Sequence, residues 1–300
     1  MTITVAVPDA AMRARLAPAV PNEVELVVWR PGDPELDRTI DLLVMPYTVS
    51  YESLKDLGGR VLHVQSQSLG YDGAENFLPD ELTFSNAVGV HEAPTAEMAM
   101  TLILASQRGW PDVGRNQDSQ NWDRPMWPGL IGRRVLLIGV GGIGREFEAR
   151  IAGFGAELTR VARTARDEIH GIDELPGLLP NADIVVLAVP LNDDTRGLVN
   201  ADFLDRLPAG ALVVNVSRGP IVDTDALVAR VRSGDVRCAL DVVDPEPLPA
   251  GHPLWSLPGS LISPHLGGAV QSMNSRVDPL VIDQIDRLRR GERPRNIVIE

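Results

Sequence analysis

The sequence predicts an α/β protein of two doubly wound parallel-sheet domains, and three observations carry that expectation. Short runs rich in Val, Leu and Ile alternate with helical segments along most of the chain, the pattern of strands covered by helices on both faces of a parallel sheet. One of these runs, 135–138, leads directly into Gly139-Val140-Gly141-Gly142-Ile143-Gly144, then into an amphipathic segment and another strand-like run at 157–161. The chain has 300 residues, a length that suits about two domains, each large enough to bury a core.

In order along the chain, strands are expected at 3–7, 25–29, 42–45, 61–65 and 83–86. A long helix follows at 93–107, with Ala96, Met100, Ile103 and Leu104 on one side. Residues 109–132, rich in Gly, Pro, Asn and Trp, read as a loop with a short arm. A second series opens at 135–138 and continues with strands at 158–161, 184–189, 212–216, 239–242 and 261–262, separated by helices that include 225–232. After the glycines, Ile143, Phe147, Ile151 and Phe154 recur at helical spacing. The last helix, about 273–290, is amphipathic and stops at Gly291. Residues 1–92 with 271–300 are therefore expected to form one domain, and 93–270 the other.

The order strand, G-x-G-x-x-G, helix, strand is what a dinucleotide site needs. The first glycine permits a tight turn, the second lets the backbone approach a pyrophosphate, and the third lets helix and strand pack closely. The helix N-terminus then points unpaired N–H groups and a partial positive charge at the phosphates. Gly139, Gly141, Gly142, Ile143 and Gly144 are the expected contacts. Residues 93–270 are thus expected to form a Rossmann dinucleotide-binding domain inserted in a second doubly wound domain that takes the substrate, with ligands beyond the carboxyl ends of the strands. An NAD-selective site places an acid about 20 residues after the glycines, on the ribose hydroxyls. Here that position leads into Arg163, Thr164 and Arg166, and guanidiniums attract the extra phosphate of NADP that an acid would repel. NADP is the preferred cofactor on this reading, with NAD open, since a solvated basic loop would look the same.

Composition narrows the class. The hydrophobic fraction of 44% and charged fraction of 23% are those of an ordinary globular protein. A net charge of −13 argues against nucleic-acid or anionic-membrane partners. Cys238 is the only cysteine and sits in an apolar run, so neither a disulfide framework nor a thiolate metal site is expected, and no metal is assigned. No basic leader precedes the first strand, and the longest apolar runs, such as 184–191, fall far short of the ~20 residues that span a bilayer. A cytoplasmic location is expected.

Three further residues follow apolar runs of the second series, where a doubly wound fold presents its chemistry. Arg218 ends Asn215-Val216-Ser217-Arg218-Gly219, Glu246 lies in Asp244-Pro245-Glu246-Pro247, and His265 lies in Ser263-Pro264-His265-Leu266-Gly267. Their types suit hydride transfer to a carbonyl beside a carboxylate. A guanidinium can orient the acid and polarise the carbonyl. An imidazole can supply and remove the proton. A carboxylate on that imidazole fixes its tautomer. Singly, each has a plainer reading as a salt-bridge partner, a solvated loop residue or a turn residue; in this order, downstream of the glycine turn, they point to an enzyme.

Together these motifs resemble those of the D-2-hydroxyacid dehydrogenases, a family that includes glyoxylate/hydroxypyruvate reductases and 3-phosphoglycerate dehydrogenases. The likeness extends to Ser68-Leu69-Gly70-Tyr71-Asp72 and to Gly89-Val90-His91 through Ala96-Glu97, and runs over most of residues 40–298. It implies a Rossmann dinucleotide-binding domain inserted in a flavodoxin-like substrate domain, and hydride exchange between NAD(P)H and a small 2-oxoacid or D-2-hydroxyacid of the glyoxylate or hydroxypyruvate type. By that resemblance Arg218 binds the substrate carboxylate and carbonyl, His265 gives or takes the proton, and Glu246 supports it. Asp241 would hold the nicotinamide carboxamide, with Pro190, Thr195, Val216 and Gly267 as further cofactor contacts. The backbone at Leu69 and Gly70 would bind the substrate carboxylate, and a homodimer is implied, with the 109–132 arm as the contact. Ala162 stands where the family's ribose-binding Asp is usual, and Asp244 carries no expected role. Leu69 stands where phosphite dehydrogenases carry a Lys, so phosphite is not the expected substrate. The chain is also expected to lack the regulatory domain of the large phosphoglycerate enzymes. A corepressor-like protein that senses the dinucleotide with little or no turnover is the alternative, as is a dehydrogenase of some other substrate; the acidic charge weighs against the first.

Overall fold

Apolar runs of four or five residues are too short for helices and become the strands of two sheets. In chain order the elements are β1 (Ile3–Val7), α1 (Ala10–Leu16), β2 (Val24–Val28), β3 (Leu42–Met45), β4 (His63–Ser66) and β5 (Thr83–Ser85). There follow α2 (Glu92–Gln107), α3 (Trp110–Asp118), β6 (Arg134–Ile138), α4 (Gly142–Ile151), β7 (Glu157–Ala162) and β8 (His170–Gly171). Next come α5 (Leu175–Leu178), β9 (Ile184–Leu187), α6 (Ala201–Asp205), β10 (Ala211–Asn215), α7 (Thr224–Ser233), β11 (Val236–Leu240) and β12 (Ser260–Ile262). The chain closes with α8 (Asn274–Arg289) and β13 (Ile297–Ile299). The computed structural model describes residues 2–34, 36–47 and 49–300, and its contacts divide it into two units, Met1–His91 with Gln271–Glu300 and Glu92–Val270.

The first unit holds a six-stranded sheet in the order β13-β5-β4-β3-β1-β2. Its five consecutive strands are parallel in the order 2-1-3-4-5, the flavodoxin-like arrangement, and β13 joins β5 antiparallel. Ala6, Leu43, Val64 and Phe84 pack with Leu54 and Leu82 in its core. The second unit holds seven parallel strands in the order β12-β11-β10-β9-β6-β7-β8. Relative to its own first strand, this is the Rossmann order. Its core has two sides because side chains alternate along a strand: Leu136 and Ile138 join one cluster with Val185 and Val213, while Val135 and Leu137 join another with Ile184 and Val214. Each such fully buried aliphatic side chain contributes about 1.5–3 kcal/mol relative to exposure.

Three local expectations are corrected. Residues 110–118, read as part of a loop, form α3. Gly109 leaves α2 at φ 62°, Pro111 stands in the first turn, where a missing N–H costs nothing, and Asp112 pairs with Arg115 one turn on. None of the α3 residues is buried; Trp110 and Val113 lie one turn apart on it, but nine residues that include Pro111 and Gly114 are too short a pattern to be told from a loop. Phe154 lies beyond the end of α4 and is 39% exposed; the register that buries Phe147 and Ile151 stops at Ile151. The short α1, capped by the Asp9 carboxylate on the Met12 N–H at 2.7 Å, and the strands β8 and β13 lie outside the expected set. Among the described residues, no helix is long and apolar enough to cross a membrane.

Candidate active site

Beyond the carboxyl end of β6 the chain makes the glycine turn. Gly139 has φ 106°, and a Cβ there would lie 2.2 Å from the Ala188 carbonyl oxygen; one at Gly144 would lie 2.1 Å from the Gly139 oxygen. Only hydrogen fits at either position, so strand, helix and the end of β9 meet backbone to backbone. Gly141 differs: a Cβ there would meet nothing within 4 Å. Gly141 caps α4, and Gly142 and Ile143 open it, so their N–H groups are among the donors a helix leaves unpaired. Open space over a glycine at a helix N-terminus fits the approach of a pyrophosphate.

Past the end of β7, Arg163, Thr164 and Arg166 are all exposed. Arg163 Nη2 lies 3.0 Å from Asp194 Oδ2, with the arginine side chain 84% exposed. So exposed a pair contributes little, and a phosphate can compete for the guanidinium. Arg166 exchanges main-chain hydrogen bonds with Ile169 at 2.9 and 2.8 Å. Pro190 and Thr195 belong to a self-closed turn after β9: the Thr195 hydroxyl donates to the Pro190 carbonyl at 2.7 Å, and the Asn192 side chain accepts from the Asp194 and Thr195 N–H groups. That turn sets Asp194 beside Arg163.

At the ends of β9 and β10 the Ser217 hydroxyl donates to the Leu187 carbonyl at 2.8 Å and accepts from the Val189 N–H at 3.0 Å. Asn215 Nδ2 donates to the Arg218 carbonyl at 2.8 Å, and its Oδ1 accepts from the Ser217 N–H. Val216 is buried between them. A Cβ at Gly219 would lie 1.9 Å from the Val243 carbonyl oxygen, so the turn bearing Arg218 lies against the segment that leads to Glu246. Ser217 and Asn215, which shape the turn that bears Arg218, were not singled out by sequence reasoning; a hydroxyl and an amide at a buried strand end were the available signal.

Asp241, 2% exposed, fastens the next turn. Its Oδ1 accepts from the Ser263 hydroxyl at 2.7 Å and the Leu266 N–H at 2.8 Å, and its Oδ2 from the Gly267 N–H at 2.8 Å. A buried carboxylate must be satisfied, so its first task is to hold 263–267; the remaining acceptor position of Oδ2 is what a carboxamide could use. A Cβ at Gly267 would meet that Oδ2 at 3.0 Å and Thr95 Oγ1 at 3.4 Å, which brings Thr95 of α2, not foreseen, to the same place. The turn holds His265 at φ 54°, its N–H on the Asp241 carbonyl at 2.8 Å. Its Nδ1 lies 2.5 Å from Glu246 Oε1. A carboxylate only accepts, so Nδ1 carries the proton and Nε2 is the nitrogen left for chemistry. The Cys238 thiol, at the heart of β11, is pushed up to about 11 by burial and is inert. In the first unit, Leu69 and Gly70 follow β4 and adjoin a cavity of about 310 Å³ lined by Tyr47, Tyr51, Gln67 and Ser68, among others.

A dinucleotide turn, with a guanidinium and an acid-supported imidazole at the ends of neighbouring strands, defines a nicotinamide-dinucleotide oxidoreductase. Residues 100–267 match the family model described as D-isomer specific 2-hydroxyacid dehydrogenase, NAD binding domain. The chain is 30% identical over 312 residues to the human glyoxylate reductase/hydroxypyruvate reductase, covering 93% of this chain and 92% of that one. It is 28% identical over 292 residues to the glyoxylate reductase of Thermofilum pendens, covering 90% and 85%. The crystal structure of a D-isomer specific 2-hydroxyacid dehydrogenase from Xanthobacter autotrophicus Py2, in complex with NADPH and MES, superposes with a TM-score of 0.82 at 28% identity over 99% of this chain and 98% of that one. The chain belongs to the D-isomer-specific 2-hydroxyacid dehydrogenase family and is an NAD(P)-dependent oxidoreductase.

Proposed function

We propose that the chain reduces glyoxylate, hydroxypyruvate or a 2-oxoacid of that size, with NADPH preferred to NADH. The observation that carries this reading is the contact of His265 Nδ1 with Glu246 at 2.5 Å, in the same set of strand ends as the Arg218 turn. The bound reduced nicotinamide supplies the hydride. Arg218 binds the substrate carboxylate and draws charge from the carbonyl oxygen. His265 gives that oxygen its proton in reduction and takes it back in oxidation, while Glu246 holds the ring in one tautomer. Gly139, Gly141, Gly142, Ile143 and Gly144 receive the pyrophosphate, and Asp241, Val216, Gly267, Pro190 and Thr195 line the rest of the cofactor's path. Leu69 and Gly70 offer backbone N–H groups to the substrate carboxylate.

In this reading residues 93–270 bind the dinucleotide, and 1–92 with 271–300 the substrate. Support for NADPH comes from exposed Arg163, Thr164 and Arg166 after Ala162 and from the NADPH complex of the Xanthobacter relative; support for the substrate comes from the relatives named as glyoxylate reductases. The chain acts as a homodimer in the cytoplasm. Trp122, Met126 and Ile131 of the arm stand 92%, 99% and 86% exposed, apolar surface that a second copy would cover. A lone buried thiol suits a reducing compartment. Following absorbance at 340 nm with a panel of 2-oxoacids tests the reading. Turnover of glyoxylate or hydroxypyruvate, with kcat/KM higher for NADPH than NADH, is expected; none with any 2-oxoacid would overturn it, and a preference for NADH would overturn the cofactor assignment alone.

A further inference from the structure

Three consecutive carbonyls in the loop after β4 are each fastened by a donor from the body of the first unit. The Ser68 carbonyl accepts from the Ala87 N–H at 2.9 Å, the Leu69 carbonyl from Asn86 Nδ2 at 2.9 Å, and the Gly70 carbonyl from the Tyr51 hydroxyl at 3.0 Å. In a trans peptide the C=O of one residue and the N–H of the next point in opposite directions. Fastening these carbonyls therefore turns the N–H groups of Leu69, Gly70 and Tyr71 away from the body of the unit. None of the three has a hydrogen-bond partner among the described residues. Oriented, unpaired amides in a turn form an anion-binding concavity.

We propose that Asn86 and Tyr51 are positioning residues for the reaction: by locking the Leu69 and Gly70 carbonyls they preset the amides that receive the substrate carboxylate. This rests on the reading of Leu69 and Gly70 as the substrate's carboxylate contact. Asn86 is buried, and its Oδ1 has no hydrogen-bond partner among the described residues. A buried acceptor left so costs free energy, and the amide group is held with its NH₂ on the loop at that cost. Tyr51 packs edge-to-face on Phe84, ring centroids 5.9 Å apart, so its hydroxyl is delivered by a ring the core fixes. It also lines the cavity beside Ser68.

The test is steady-state kinetics of the full chain with NADPH and its best 2-oxoacid, together with the Ki of oxalate, which carries carboxylates but no reducible ketone. Tyr51→Phe keeps the ring contact and removes only the donor; Asn86→Ala removes the other. Each is expected to raise KM for the 2-oxoacid and Ki for oxalate in parallel, by roughly 5-fold or more. The KM for NADPH should stay unchanged and kcat within about 2-fold, because the interaction is made equally in ground and transition states. Wild-type KM and Ki in Tyr51→Phe would overturn the proposal, as would a joint loss in kcat, KM and NADPH binding, the mark of a general structural role. Absence of wild-type turnover with every 2-oxoacid would overturn the underlying reading of the site as well, so the two failures are distinguishable.

Discussion

His63 and His265 occupy opposite environments, and the contrast separates stability from chemistry. His265 lies at a strand end with Nδ1 on a carboxylate and half of its side chain in solvent. His63 is 2% exposed, its Nδ1 2.5 Å from Thr83 Oγ1 and its Nε2 buried with no partner among the described residues. Burial pushes the His63 imidazole down to about 4, against a normal value near 6.5 in the unfolded chain. Between those values the unfolded chain binds a proton that the native state refuses. Stability contributed by neutral His63 is therefore intact above pH about 6.5 and is lost as pH falls towards about 4, by roughly 3 kcal/mol over the window. Urea unfolding of the wild type and His63→Leu across this range should show the wild type losing about that much more; parallel curves would mean that His63 titrates normally. Of the residues in the candidate site, Arg218, Glu246 and His265 were legible because each follows an apolar run with a side chain suited to carbonyl chemistry. Asn86 and Tyr51 were not, since their roles depend on which carbonyl each meets across the fold, and nothing in the neighbouring sequence encodes that.

At the scale of elements, the glycine turn was readable because its constraint is local: three glycines at fixed spacing between a strand and a helix. The structure assigns them different physical tasks, and the difference is testable. A methyl at Gly144 collides with the Gly139 carbonyl, whereas one at Gly141 meets nothing in the protein. Gly144→Ala is expected to destabilise the chain by about 1–3 kcal/mol through overpacking. Gly141→Ala should unfold at the wild-type temperature yet bind NADPH at least ten times more weakly, because its methyl occupies the approach of the pyrophosphate. Differential scanning calorimetry and fluorescence titration read the two effects; a stable Gly141→Ala that binds NADPH normally would place the pyrophosphate elsewhere. The α3 helix was illegible for the converse reason. Its nine residues include Pro111 and Gly114 and carry only Trp110 and Val113 as large apolar side chains, too short a pattern to be told from a loop.

At the scale of the molecule, the sequence carries the alternation of strand and helix but not the order in which strands lie side by side. Both sheets run out from an early strand and then reverse, β6 towards β7 and β8 on one side and β9 onwards on the other, because right-handed crossovers on two faces leave few alternatives. The reversal puts the carboxyl ends of β6 and β9 next to one another, which is where the glycine turn and the Ala188 carbonyl meet. Neighbouring β10, β11 and β12 then bring together the turns bearing Arg218, Glu246 and His265, though more than 40 residues separate the first from the last in the chain. β13, by contrast, was not legible, since three residues after a turn carry too little pattern to be told from a tail. What the arrangement amounts to as catalysis is decided most directly by turnover of His265→Ala with NADPH and the best 2-oxoacid, measured beside the Kd for NADPH. We expect kcat to fall by about 10²–10⁴-fold, the usual worth of a positioned proton donor, with the Kd unchanged; a variant that turns over at the wild-type rate would remove His265, and with it this account of the chemistry.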